Sequence, residues 1–563
     1  MKIHALRDSA IALAILLLAS SCGKEQGSEI AGEGPPESGG TAVVAEGADI
    51  NYPVAVLANS QLDGDLGADV MNMGLLRGLW QDGELRFETA EHSPVALART
   101  FEYFGADSAA VRFHMRSDAR WSDGQPITAS DIVFTYGLLR NPVIGSSLQS
   151  YTERLDSVVA ENDSTVSFYF RNRYPDMLSH AAVPPMPKHI YGDVAPADLR
   201  THPTLIDPSG GKLVTSGPWI IGEWRKGQQV VLVPNPQFSP KPRLERLVIR
   251  IIPDATTRLV ELQTGNVDVL KGVATDKLPM LRTQPDIRLE REQKRAYDYV
   301  AYNAKDFAPF ADLDIRRALT LAIDPSRIIR GLQLEDVAAP GGGPYPPVSK
   351  LHDSALVSPM NGDTAEARRL LASKGWTDSD GDGILDKDGK PFRFTLITNA
   401  GNPRRADASV LVQQEWRKLG IDAQLQQIEF NTGMTRILNH QFQAALGGWV
   451  AGLTPDFLFT LYGTGEQYNI TSYSNPRVDS IIHQARLQPT EAAAAPLWQR
   501  AAKLVVGDQP YTWLYYYDVV DPVRNRLKGM RVDTYGLYQN TWEWWIPKSQ
   551  QRGPRTAAAD SAR

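Results

Sequence analysis

Between Val111 and Leu139 the chain reads VRFHMRSDARWSDGQPITASDIVFTYGLL, and a change of period inside that stretch decides the fold class. Val111 to Met115 alternates apolar and polar residues, the pattern of a strand with one buried face. Thr128-Ala129-Ser130-Asp131 then opens a helix that runs to about Leu139. Thr128 can satisfy orphan amides of the first turn, and Asp131 three residues on completes a capping box. A strand followed by a capped helix is the repeating unit of α/β architecture.

The same alternation continues outward. Val230 to Val233 and Leu247 to Ile252 are β-branched runs suited to buried strands. Thr256 to Thr264 is helical in pattern and stops at Gly265, a residue that accepts the left-handed conformation at a helix end. Ala408, Leu411, Val412, Trp416 and Leu419 share one helix face ended by Gly420, and Ile421 to Ile428 follows as a strand. This order predicts α/β lobes and argues against a sandwich or a helical bundle.

Length and composition narrow the function. The chain has 563 residues, enough for two or more hydrophobic cores, with 42% hydrophobic and 22% charged residues. A net charge of −6 spread without long single-sign runs gives no nucleic-acid surface. The 12 Trp and 20 Tyr are more than core filling demands and point to a site that holds ligands by flat contact. No nucleophile elbow, phosphate loop or histidine spacing suited to zinc occurs, so no catalytic residue is expected.

The first residues form an export signal. Lys2 and Arg7 precede the apolar run Ala10 to Leu18, which ends in Ala19-Ser20-Ser21-Cys22. The run is shorter than the roughly 20 apolar residues that span a bilayer. Residues 1–21 are therefore expected to be a lipoprotein signal peptide, and Cys22, the single cysteine, the acylated anchor. An ordinary cleavage site with an incidental thiol is the competing reading. Residues 22–40, rich in Gly, Glu, Pro and Ser, are expected to be a flexible tether, and 549–563 a disordered tail.

Several blocks, in order, resemble the extracellular solute-binding proteins of peptide and nickel importers, family 5 or cluster C. They are the opening stretch, MPKHIYG at Met186 to Gly192, SGPWIIGEWRKGQQVVLVPNPQF at Ser216 to Phe238, and ELQTGNVDVL at Glu261 to Leu270. DIRRALTLAIDPSRII follows at Asp314 to Ile329, KGWTDSDGDGILDKDGKPFRFTL at Lys374 to Leu396, and GGWVAGLTPDFLF from Gly447. YSNPRVDSII at Tyr473 and QPYTWLYYYDVV at Gln509 complete the set. The resemblance implies a two-lobed, periplasmic-binding-protein-like α/β fold (type II, Venus flytrap) with a hinge between the lobes. It places lobe I at 41–297 plus 521–548 and lobe II at 298–520, with crossings near Tyr297 to Asn303 and Val519 to Val523.

It also implies a monomeric receptor at the extracytoplasmic face of the cell envelope. Its partners would be the permease and ATPase of an ABC importer, its ligand a peptide or other small molecule, and its tie to the membrane the lipid. A ligand-presenting sensor of the same fold is the alternative. The ligand site is expected at Gly447, Gly448, Trp449 and Val450, where the tryptophan would pack on the ligand and the glycines would let it approach the main chain. Tyr297, Tyr299 and Asn303 are expected on the cleft floor, while the tyrosines of the cluster Trp513 to Tyr517 are assigned to packing. Peptide-binding relatives carry an aspartate three residues after the tryptophan, where it neutralises the peptide's α-ammonium; this chain has Gly452. A buried ammonium without a carboxylate is costly. That departure makes an oligosaccharide, a modified peptide or another metabolite credible, unless Asp456 folds back to substitute. No cofactor is expected. Asp378, Asp380 and Asp382 with Gly383 form the first half of a calcium loop, but position twelve is Gly389, and a turn leading into a hairpin accounts for the same residues.

Overall fold

The predicted capping box forms, and it locks two blocks of sequence together. In the computed structural model, which describes residues 35–551 except 357 and 453, the helix Ala129–Arg140 begins where expected. Asp131 accepts the amides of Thr128 and Lys188, each at 2.8 Å. Thr135 Oγ1 donates to the Asp131 carbonyl at 2.7 Å and accepts the Met186 amide at 2.9 Å. A buried carboxylate needs this full set of donors, so the opening stretch and the Met186 block are one structural unit. The export signal, Cys22 and the start of the tether lie outside the described residues.

The strand of that stretch, Ala110–Met115, belongs to a four-stranded antiparallel sheet with Ala98–Phe104, Thr165–Phe170 and Leu155–Asn162. The larger sheet has eleven strands. In chain order these are β1 (Thr41–Glu46), β2 (Trp219–Arg225), β3 (Gln229–Pro234), β4 (Arg246–Ile251), β5 (Val269–Leu270) and β6 (Ile287–Tyr302). Then follow β7 (Ala338–Pro340), β8 (Arg393–Asn399), β9 (Asp422–Ile428), β10 (Ala444–Val450) and β11 (Tyr511–Arg524). The spatial order is β9-β8-β10-β6-β11-β5-β1-β4-β3-β2, with β7 on β11.

Two long neighbours, β6 and β11, run antiparallel through the middle of this sheet and carry it from one lobe into the other. The hydrophobic cores divide accordingly. One cluster is built from residues between Ala42 and Val269 plus Val523 to Ile546, with a satellite between Ala45 and Ile287. Two further clusters pack either face of the second half of the sheet, among residues from Leu278 to Val520. Ala296 to Tyr302 pair with β10, and the pairing between β6 and β11 breaks twice, between Glu292 and Ala296 and again between Asp298 and Tyr299. A bulge leaves no mark in a strand-like sequence, so only the pairing reveals it. The termini are also held further out than composition suggests. Gln551 donates to the Ser38 carbonyl at 3.1 Å, and the Lys548 amide donates to Glu37.

Candidate ligand-binding cleft

The strand that carries the sequence-predicted site is β10, and its glycines serve the protein's own side chains. Gly447 faces Tyr299 across the ladder and Gly448 faces Asp298. A Cβ on Gly447 would stand 2.9 Å from the Tyr299 hydroxyl, and one on Gly448 would strike the Asp298 carboxylate and the Arg405 guanidinium. Asp298 is fully buried. It accepts Arg404 Nε and Arg405 Nε, both at 3.1 Å, and the Tyr515 hydroxyl at 2.8 Å. The close approach these glycines permit is that of an internal ion cluster, which corrects the expectation that they admit a ligand.

Tyr297 and Tyr299 are buried too, the second stacked on Tyr511 with ring centres 4.3 Å apart. Asn303 donates to the carbonyls of His440 and Phe442 at 2.8 and 2.7 Å and accepts the Lys305 amide at 3.1 Å. Its amide is committed to the main chain, so it does not line a cleft floor. Trp513, Tyr515 and Tyr516 are buried in packing, in consecutive rather than alternate positions, because clusters cover both faces of the sheet here. Trp449 and Val450 differ. Val450 is 64% exposed. Trp449 is half-buried, stacked on Tyr299 at 5.9 Å and edge-on to Tyr468 at 6.0 Å.

Tyr468 leads to the cleft. It lines a cavity of about 390 Å³ walled by Tyr151, Arg154, Tyr174 and Asp176 from the first lobe and by Thr454, Asp456, Arg486 and Glu491 from the second. A smaller cavity holds Gly452 and shares Thr454, Pro455, Phe457 and Glu491 with it, so the two are adjacent. The lobes touch around these cavities. The Lys350 amide donates to Gly83 O at 2.8 Å, and the Lys350 ammonium pairs with Glu84 at 3.0 Å. The guanidinium of Arg154 donates to Arg486 O at 3.1 Å and that of Arg173 to Pro489 O at 3.0 Å.

Charge is distributed unevenly along the cleft. At the Gly452 end Arg295 donates to the Ala451 carbonyl and lies 5.6 Å from the centre of the Trp80 ring. Burial pushes its guanidinium down to about 10. A Cβ on Gly452 would stand 2.9 Å from Phe457 Cβ, so an aspartate has little room there. Asp456 pairs with Arg486 at 2.8 Å and so does not stand as a free acid. Asp176 is 8% exposed, and burial, then Asp456 and Glu491, push its carboxyl up to about 7. Neither Arg295 nor Asp176 was singled out from the sequence, because each sits in an unremarkable polar context and acquires its isolation only from the opposite lobe.

Two other sequence candidates resolve simply. The carboxylate oxygens of Asp378, Asp380 and Asp382 lie within 4.8 Å of one another and are exposed. They accept amides of their own loop, from Gly381, Gly383, Asp382 and Ile384. The loop leads to a two-stranded hairpin, Asp386–Lys387 with Lys390–Pro391, turned at Asp388 and Gly389, both with positive φ. His189 is held by Asp123 at 2.7 Å.

The sequence profile of the bacterial extracellular solute-binding proteins, family 5 Middle, matches residues 96–470. The chain belongs to that family. Among curated relatives, the oligopeptide-binding protein AppA of Bacillus subtilis is 29% identical over 552 residues, covering 95% of this chain and 97% of its own. The solved structure of AppA from Bacillus subtilis with a nonapeptide superposes with a TM-score of 0.75 at 26% identity, covering 91% of this chain and all of that one. NikZ from Campylobacter jejuni, solved with Ni(L-His), gives 0.74 at 23% identity over 90% and 99% of the two chains, a likeness of fold. Family members are binding proteins, and no helix among the described residues is long and apolar enough to cross a membrane.

Proposed function

We propose that this chain is the receptor of an ABC importer, which captures an oligopeptide-like or other small polar ligand between its lobes and hands it on chemically unchanged. The observation that carries this is the cleft itself, walled by segments of both lobes, with one sheet running through both. A ligand that contacts both lobes stabilises only the closed arrangement, so capture and closure are one event. The similarity to an oligopeptide-binding protein over 95% of the chain supports a peptide-like ligand. The protein works as a monomer, anchored through acylated Cys22, with the permease opening the lobes at the expense of ATP. Two acyl chains suffice for lasting attachment.

Small-angle scattering with and without a mixed short-peptide library tests the reading. A fall in radius of gyration on saturation is expected, and the same peptides should be recovered intact. A radius that no solute changes, or repeated turnover of the peptides, would refute it. Cys22→Ser is expected to release the protein from the membrane fraction.

A further inference from the structure

The acid missing at position 452 has a counterpart elsewhere in the cleft. Asp176 is the N-cap residue just before the short helix Met177–Ala181, where an aspartate ordinarily caps the helix amides, yet its side chain makes no such bond. It lines the 390 Å³ crevice instead, close enough to Thr454 of the second lobe for that residue to help hold its charge. One carboxylate oxygen, Oδ1, makes no hydrogen bond of ordinary geometry. A buried polar atom left unpaired is costly and uncommon in native proteins, and at a cleft wall it marks a position that a ligand completes.

The surroundings specify what completes it. From the first lobe Arg154 faces the crevice, but it spends its guanidinium on the Arg486 carbonyl and on the Tyr174 ring, 4.9 Å away. His180 stacks on Tyr151 at 4.5 Å, and burial pushes it down to about 4, so it is neutral at ordinary pH. From the second lobe Arg486 is taken by Asp456 at 2.8 Å. Glu466 and Glu491 also line the crevice, and burial raises both carboxyls. Glu153 lines it as well, so outside the Asp456–Arg486 pair four acids, Asp176 among them, face the single guanidinium of Arg154, and the crevice favours a positive group with hydrogen-bond donors.

Resting on the receptor reading above, we infer that Asp176 anchors a primary ammonium of the ligand, replacing from the first lobe the carboxylate that Gly452 cannot supply from the second. An ammonium supplies three donors and a full charge to the open oxygen. It would lie between lobes and so reward closure.

Isothermal titration with tetra-alanine, N-acetyl-tetra-alanine and 1,5-diaminopentane, on the wild type and on Asp176→Asn and Asp176→Ser, tests this. The wild type is expected to prefer a free amine to its acetylated form about tenfold or more, and both variants to lose that preference while binding the acetylated peptide as before. Asp176-dependent binding of the tetrapeptide assigns a peptide α-ammonium; the same dependence with the diamine alone assigns a side-chain-like amine. Preference should weaken roughly fivefold from pH 7.5 to pH 6, as Asp176 takes up its proton and can no longer pair. Equal wild-type affinity for free and acetylated peptide overturns the assignment, as does an equal loss for both probes in the variants, which would make Asp176 merely structural. If the lobes close on solutes that carry no amine and on none that do, this inference falls while the receptor reading stands. If no solute closes them, the receptor reading itself has failed.

Discussion

The strand Gly447 to Val450, with the cluster around Asp298, and the crevice at Asp176 look alike by chemistry: carboxylates, arginines and tyrosines close together. They differ in completeness. Asp298, opposite Gly448, is buried with two guanidinium groups and a hydroxyl on its oxygens. Asp176 is nearly as buried and leaves an oxygen bare. A saturated buried charge organises the fold, because any further partner would have to break an existing bond. An unsaturated one costs stability in the empty protein, and the binding of a complementary group recovers that cost.

The largest effect that could break this contrast is at Gly448. Gly448→Ala should cost about 3–5 kcal/mol, since the methyl group drives apart a buried ion cluster whose members then lack partners. Urea unfolding measures it, and a loss below about 1 kcal/mol would mean the cluster is looser than its geometry. Asn303→Ala should cost about 2–3 kcal/mol by leaving two buried carbonyls and an amide unpaired, with ligand affinity unchanged. A selective loss of affinity without loss of stability would return Asn303 to the binding site.

Asp176→Asn should act in the opposite direction. Its folded-state carboxyl is raised from 3.8 to about 7, so the stabilisation of the protonated form is complete below about 4 and is lost as pH rises to 7. The unliganded wild type is therefore expected to lose stability between pH 4 and 7. At pH 8 the asparagine variant should be more stable by on the order of 2 kcal/mol, with a flatter pH profile. Thermal melts across that range decide the matter, and parallel profiles for the two proteins would contradict it. The smallest effect is expected at Asp380. There Asp380→Ala should change stability by less than about 0.5 kcal/mol, with or without millimolar calcium, because the loop is exposed and its turn survives on its other amide bonds. A calcium-dependent shift in melting temperature abolished by the substitution would establish a cation site.

What could be read without coordinates was what local chemistry dictates. The alternation at Val111 to Met115, the capping box at Thr128 and Asp131, and the glycine stops at Gly265 and Gly420 depend on neighbours a few residues away, and each forms as written. The ordered blocks carried the two-lobed architecture, because their spacing along the chain reflects how the lobes are threaded. Trp449 was legible as an unusual aromatic at a strand edge, but the purpose of the glycines before it was not. Their neighbours Tyr299 and Asp298 are about 150 positions away in sequence and adjacent only across a ladder.

The chain by itself determined its elements and the absence of an acid at position 452. Tertiary structure alone decided which charges are answered. Asp298 and Asp176 are the same residue type in comparably plain sequence contexts, and whether a carboxylate is complete depends on groups brought from distant segments and the opposite lobe. Coulombic and hydrogen-bond energies fall away within a few ångströms, so no pattern along the chain encodes them. The fold sets those distances, and with them which acid is left for a guest.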